Sequence, residues 1–243
     1  MNNFHTLSSS FYRFAKVLGT ALSFSLILST SQAYSADNNR ENLLSKFPGL
    51  EDQNLKPENP KIICPFHRLL ERAGLYDSSK DSPGPLLVSI LKITNIAREF
   101  GCDVLQCGTV ATAVSGGQVV TRTSIFNNVN LESLHTALGV SHDCGLAFAQ
   151  GGNEVNASHR ARTLSALADR QDANGRLQYE DLVAVKESIC AEQGVRNTFA
   201  GKTEMKLIYS FLGGKKRGFI DYSDVERFLN AELPMTVDAP DGL

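Results

Sequence analysis

The sequence predicts a mainly α fold built as a single helical domain. Three observations carry that expectation: several segments repeat their apolar residues at helical spacing, glycines stand where those segments stop, and the only strand-like alternation of note is Val119-Val120-Thr121-Arg122-Thr123. The first helix begins at Pro65, because proline is favoured at the opening helical position, where its missing N–H costs nothing. Cys64 therefore falls at the N-cap. Phe66, Leu69, Leu70 and Ala73 recur at helical spacing, and Gly74 supplies a left-handed stop. Residues 86–100 form the next helix, with Leu87, Ile90, Leu91, Ile93 and Ala97 on one face and Gly101 at its end. Residues 104–114 are apolar and rich in Thr and Ala, and Gly116-Gly117 stops them. Further helices are expected over 131–138, 157–168, 179–191, 204–212 and 223–229.

Upstream of the first helix, residues 34–60 are polar and carry Pro48, Pro57 and Pro60, so they read as an irregular N-terminal arm. Without a fixed-period repeat or a second core, one domain is expected over 61–236, followed by a tail at 237–243. Residues 1–33 read as a secretory signal peptide. Arg13 and Lys16 precede an apolar run over 17–28, and Ser31-Gln32-Ala33 offers the small residues a signal peptidase needs. That run is short and broken by Ser and Thr, and no later stretch approaches the roughly 20 apolar residues of a membrane span. The mature chain is expected to be secreted or periplasmic, with no membrane attachment. Its formal charge is −2 for the whole sequence, and residues 1–33 hold two bases and no acid. A mildly acidic chain without clustered Lys and Arg gives no reason to expect nucleic acid.

Five cysteines in an exported chain leave at least one unpaired. The N-cap position makes Cys64 the choice, since the free N–H groups and positive end of the helix would lower its thiol pKa and yield a nucleophile or metal ligand. Cys102 with Cys107 and Cys144 with Cys190 is one of three pairings open to the other four. Two glycine loops resemble calcium sites. With Gly175 at the sixth place of an EF-hand loop, Arg170 stands at the first and Asp181 at the twelfth; with Gly218 there, Gly213, Lys215 and Arg217 stand where oxygens belong. A glycine turn, a strand-like residue and an Asp-capped helix account for both loops.

Cys64-Pro65 with its leucine-rich helix ending in Gly74-Leu75, then His142-Asp143, then a Glu-bearing helix before Gly213-Gly214, occur here in one order. Late in the chain come Gly218-Phe219-Ile220-Asp221-Tyr222, Phe228 and Pro234. This order resembles the heme-thiolate peroxidases of the chloroperoxidase and unspecific peroxygenase family, the heme haloperoxidases, over about residues 60–236. The family's Pro-Cys-Pro is matched but for its first proline, and its Glu-His-Asp is matched but for Ser141 in place of the glutamate.

The resemblance implies a chloroperoxidase-like helical fold holding heme b, with Cys64 as the iron ligand. It further implies that hydrogen peroxide oxidises, oxygenates or halogenates a small organic substrate. A thiolate opposite an open iron position favours O–O cleavage, and a carboxylate must carry the peroxide proton. By the resemblance that carboxylate is Glu204, with Thr203 one place away, and its partner is His142, with Arg196 as a rival. Glu204 is also read as opening its helix, where a carboxylate is stabilising in its own right. His67, His135 and His159 are read as surface or packing residues. In the family a glutamate and a serine help to hold magnesium; here Ser141 and Gly145 stand in those places, leaving Asp143 and backbone carbonyls, so no tightly bound magnesium is expected. Ser141 also supports a competing expectation, a secreted protein of the same fold that has lost peroxidase activity and serves as a binding or interaction protein.

Overall fold

Helices carry most of the described residues in the computed structural model, which describes residues 36–76, 86–101, 128–136, 144–149, 151–152 and 154–237. They are α1 (Ala36–Lys46), α2 (Pro65–Arg72), α3 (Ile90–Glu99), α4 (Ala157–Ala168), α5 (Tyr179–Glu192), α6 (Phe199–Phe211), α7 (Gly214–Arg217) and α8 (Tyr222–Leu229). Two short antiparallel pairs join them, β1 (Leu87–Ser89) with β2 (Asn128–Asn130) and β3 (Arg176–Leu177) with β4 (Ile220–Asp221). Residues 36–243 form one unit. Among the described residues no helix is long and apolar enough to cross a membrane.

The sulfur-capped helix forms as its sequence dictates. Cys64 is extended (φ −73°, ψ 118°), Pro65 opens α2, and Gly74 takes φ +72° after it. Leu69 and Leu70 are fully buried, and Phe66 meets Phe100 and Phe211 with ring centroids 5.2 and 5.9 Å apart. Phe211 in turn meets Phe228 at 5.1 Å, so one aromatic cluster ties α2, α6 and α8 to the end of α3. Arg68, with no exposed surface, donates to the carbonyls of Ile62 (2.9 Å), Ile63 (3.2 Å) and Leu229 (2.7 Å), and its Nε lies 2.6 Å from Glu58 Oε1. Arg72 donates to Asn230 O and Ala231 O, so two guanidinium groups of α2 satisfy the carbonyls that α8 leaves unpaired at its C-terminus.

Several expectations require correction. The irregular arm over 34–60 contains α1 and two 3-10 turns (Pro48–Leu50 and Asp52–Asn54), and Leu43 and Leu50 are buried. Pro48 opens the first of these turns rather than preventing structure, and the core begins before residue 61. Residues 86–89 are not helical: Ser89 accepts the Lys92 N–H as N-cap of α3, and Val88 pairs with Val129. The expected helix over 131–138 is a kinked 3-10 stretch, Leu131–Thr136. At the far end, Val237 is fully buried, and Asp224 accepts the Met235 and Thr236 N–H groups, so the core includes the first residue of the expected tail. The segments at 1–33, 104–114 and 119–123 lie outside the described residues.

The two glycine loops sit side by side with Leu177 opposite Ile220, each two residues after its glycine, in the layout of paired EF-hands. Gly175 (φ +75°) and Gly218 (φ +76°) make the turns. The groups available to a cation are already engaged. Asp172 Oδ1 accepts from Asn174 N and Arg176 N, Arg176 O accepts from Asp172 N, and Arg170 lies 3.9 Å from Asp181 across the first and twelfth places. In the second loop Arg217 pairs with Asp221 at 2.7 Å. Phe219 lies between Arg176 and Arg217, 4.1 and 4.8 Å from its ring centre.

Candidate functional site

Cys64 is a free, half-buried thiol. The backbone N–H groups of His67 and Phe66, in the first turn of α2, favour its anion, as does the Arg68 guanidinium. Against them stand burial, which is the largest influence, and the negative charge of Glu204, so the thiol is pushed up. This corrects the expectation that the helix end alone would ionise Cys64. The cap geometry is as expected, but loss of water outweighs the dipole. A metal ion arriving at the sulfur would reverse the balance, because a coordinating thiol is deprotonated outright.

His67 Nδ1 lies 2.8 Å from the Tyr76 hydroxyl and its ring packs on Phe66 and Tyr76, so it is a packing residue. Burial pulls its imidazole down to about 4, and burial also pushes the Tyr76 phenol well up. His67 is therefore neutral in the folded chain at neutral pH. Its contribution to stability is complete above its unfolded pKa of about 6.5 and is lost as the pH falls toward 4. Urea unfolding from pH 7 to pH 4 is expected to show a loss of up to about 3 kcal/mol that His67→Gln removes.

Glu204 is the sixth residue of α6, which starts after Thr198, whose Oγ1 accepts the Gly201 N–H. Contrary to the sequence reading, Glu204 does not open its helix, so the stabilisation offered by a first turn does not account for it. Thr203, one position earlier, is half-buried and donates to Phe199 O. Phe211 follows Glu204 by two helical turns on the same face and packs on Phe66 of the sulfur-capped helix. The charge of Glu204 reaches Cys64 from that face.

Glu204 also has a partner that the sequence reading did not name. Lys186 Nζ lies 2.8 Å from Glu204 Oε2, with the lysine side chain fully buried and the glutamate side chain about one quarter exposed (24%). Arg196, the rival named from sequence, is exposed in the connection between α5 and α6. His142 and Asp143, and the side chain of His135, lie outside the described residues. The signal for Lys186 was present in the sequence: it shares its face of α5 with Leu182 and Cys190, one turn to either side, and a lysine in an apolar row needs a partner.

Cys144 is bonded to Cys190 with Cα atoms 5.3 Å apart, one of the three pairings left open; Cys102 and Cys107 lie outside the described residues. The bridge fastens the segment that directly follows His142-Asp143 to α5, one turn beyond Lys186. His159 is a buried packing histidine whose Nε2 lies 2.9 Å from Gly145 O. Gly145 faces the Phe148 ring so closely that any Cβ there would collide with it, so a serine hydroxyl cannot be offered to magnesium from this position. Among the described residues no group of three His, Cys, Asp or Glu side chains converges as a metal site.

For heme iron the donor chemistry fits better. One free sulfur has two backbone N–H groups favouring its anion, and a carboxylate held by a buried ammonium lies in its electrostatic neighbourhood. No family model matches the chain, and no curated protein matches it.

Proposed function

We propose that this chain is an exported heme-thiolate peroxidase that uses hydrogen peroxide to oxidise, oxygenate or halogenate small organic molecules. The observation that carries the reading is the free Cys64 sulfur at the start of α2, sharing one electrostatic neighbourhood with Glu204. Cys64 would hold the iron of heme b, and the N–H groups of Phe66 and His67 would stabilise its thiolate. Bound heme would supply the two electrons that split the O–O bond. Glu204 takes a proton from one peroxide oxygen and returns it to the other, which leaves as water. The Cys144–Cys190 bridge supports export to an oxidising compartment, since such bonds are rare in reducing ones.

Mature protein supplied with hemin and reduced under carbon monoxide is expected to show the red-shifted Soret band of thiolate ligation, and Cys64→Ala to lose it. Absence of that band in the unaltered chain with its Cys144–Cys190 bond formed would overturn the proposal. A second reading, a secreted protein of the same fold without turnover, is favoured by Ser141. Thiolate ligation without peroxide-dependent oxidation of a chromogenic phenol would select it.

A further inference from the structure

A buried ammonium is an expensive way to join two helices. Taking Lys186 out of water carries a penalty that a leucine or methionine at the same place would avoid, and a buried ion pair is often no more stable than an apolar substitute. The surroundings are shaped to admit it. Gly201, in the first turn of α6, has no side chain; a Cβ there would lie 3.3 Å from Lys186 Cε and would collide with Asn197 Oδ1. The Asn197 amide fills that place, with both its oxygen and its nitrogen buried and unbonded to protein. One side of the carboxylate is thus held by an ammonium closed off from solvent, while part of the glutamate side chain stays open.

We propose that Lys186 is the positioning residue of the Glu204 site: passing Gly201, its ammonium fixes the carboxylate in one orientation, held to receive the peroxide proton. The inference deepens the peroxidase reading and rests on it for the proton's source. The ion pair can nevertheless be tested without heme. Lys186 does not touch the reacting atoms. It acts through Glu204, by keeping the carboxylate from turning away.

In hemin-free protein the carboxyl carbon of Glu204, assigned by comparison with Glu204→Gln, is expected to move its resonance in Lys186→Met and to return toward the unaltered position in Lys186→Arg. An unmoved Glu204 carboxyl resonance in folded Lys186→Met would overturn the proposal. Should that variant not fold, the Lys186 Nζ resonance decides: it should be protected from exchange in the unaltered chain and shift in Glu204→Gln, and an unshifted resonance overturns the pairing. With hemin bound, Lys186→Met should lower kcat/KM for peroxide at least about tenfold while leaving KM for the phenol unchanged, with Lys186→Arg recovering most of the loss. A parallel loss on both substrates would mark a merely structural role and overturn the proposal. Failure of the chain to bind hemin through sulfur would defeat the peroxidase reading, while the carbon and nitrogen resonances would still judge the pair.

Discussion

Glu204→Gln is expected to leave hemin ligation by Cys64 intact and to lower peroxide-dependent oxidation by about 10²–10⁴-fold, the usual contribution of a positioned acid–base group. Glutamine keeps the size and one acceptor oxygen of the side chain, so Lys186 retains a partner, but it can neither take nor return a proton. Stopped-flow measurement of the first reaction with peroxide isolates the step, since the organic substrate is absent. A variant that reacted with peroxide at the unaltered rate, with its thiolate spectrum unchanged, would remove Glu204 from the mechanism. Glu204 is interior to α6 and paired with an ammonium that has no exposed surface, so its presence is not explained by helix capping or solvation.

Arg68→Met is expected to be the most damaging change to stability, costing about 3–5 kcal/mol in urea unfolding. The methionine would fill part of the space but leave Glu58 without one of its two guanidinium partners and the carbonyls of Ile62, Ile63 and Leu229 without that donor. Burial pulls the Arg68 guanidinium down to about 10, so it stays charged at neutral pH and the network is ionic throughout. The exposed pair of Lys46 with Glu99 gives the contrast: its side chains are 52% and 40% exposed, and Lys46→Ala should stay within about 1 kcal/mol of the unaltered chain. Equal effects of the two substitutions would show that burial of the Arg68 network does not govern its energetics.

How much of this was legible in the sequence depended on whether the signal was local. Pro65, the apolar rhythm after it and Gly74 fixed α2 within a residue, because a helix start and stop are written in neighbouring residues. Residues 157–168 and 179–191 were equally plain, and α4 and α5 follow them closely. The strand at Leu87–Ser89 was hidden, since its pairing partner lies some forty residues away and its apolar residues fit either period. The sulfur's position could be read, but its protonation could not: burial is a property of the packed chain, and it reversed the sign expected from the helix end. Glu204 was found through a resemblance in motif order, whereas its ammonium partner lies eighteen residues earlier on a different helix. A single lysine in an apolar row was the only trace of it.

The bond between Cys144 and Cys190 bears on how the molecule must be produced. Closing a loop of 46 residues removes from the unfolded chain freedom worth about 4 kcal/mol in the chain-entropy account. Expression in a reducing cytosol would forgo that tether and release the segment after His142-Asp143 from the helix that carries Lys186. A preparation that refuses hemin is informative only when thiol counting has first demonstrated that this crosslink is formed.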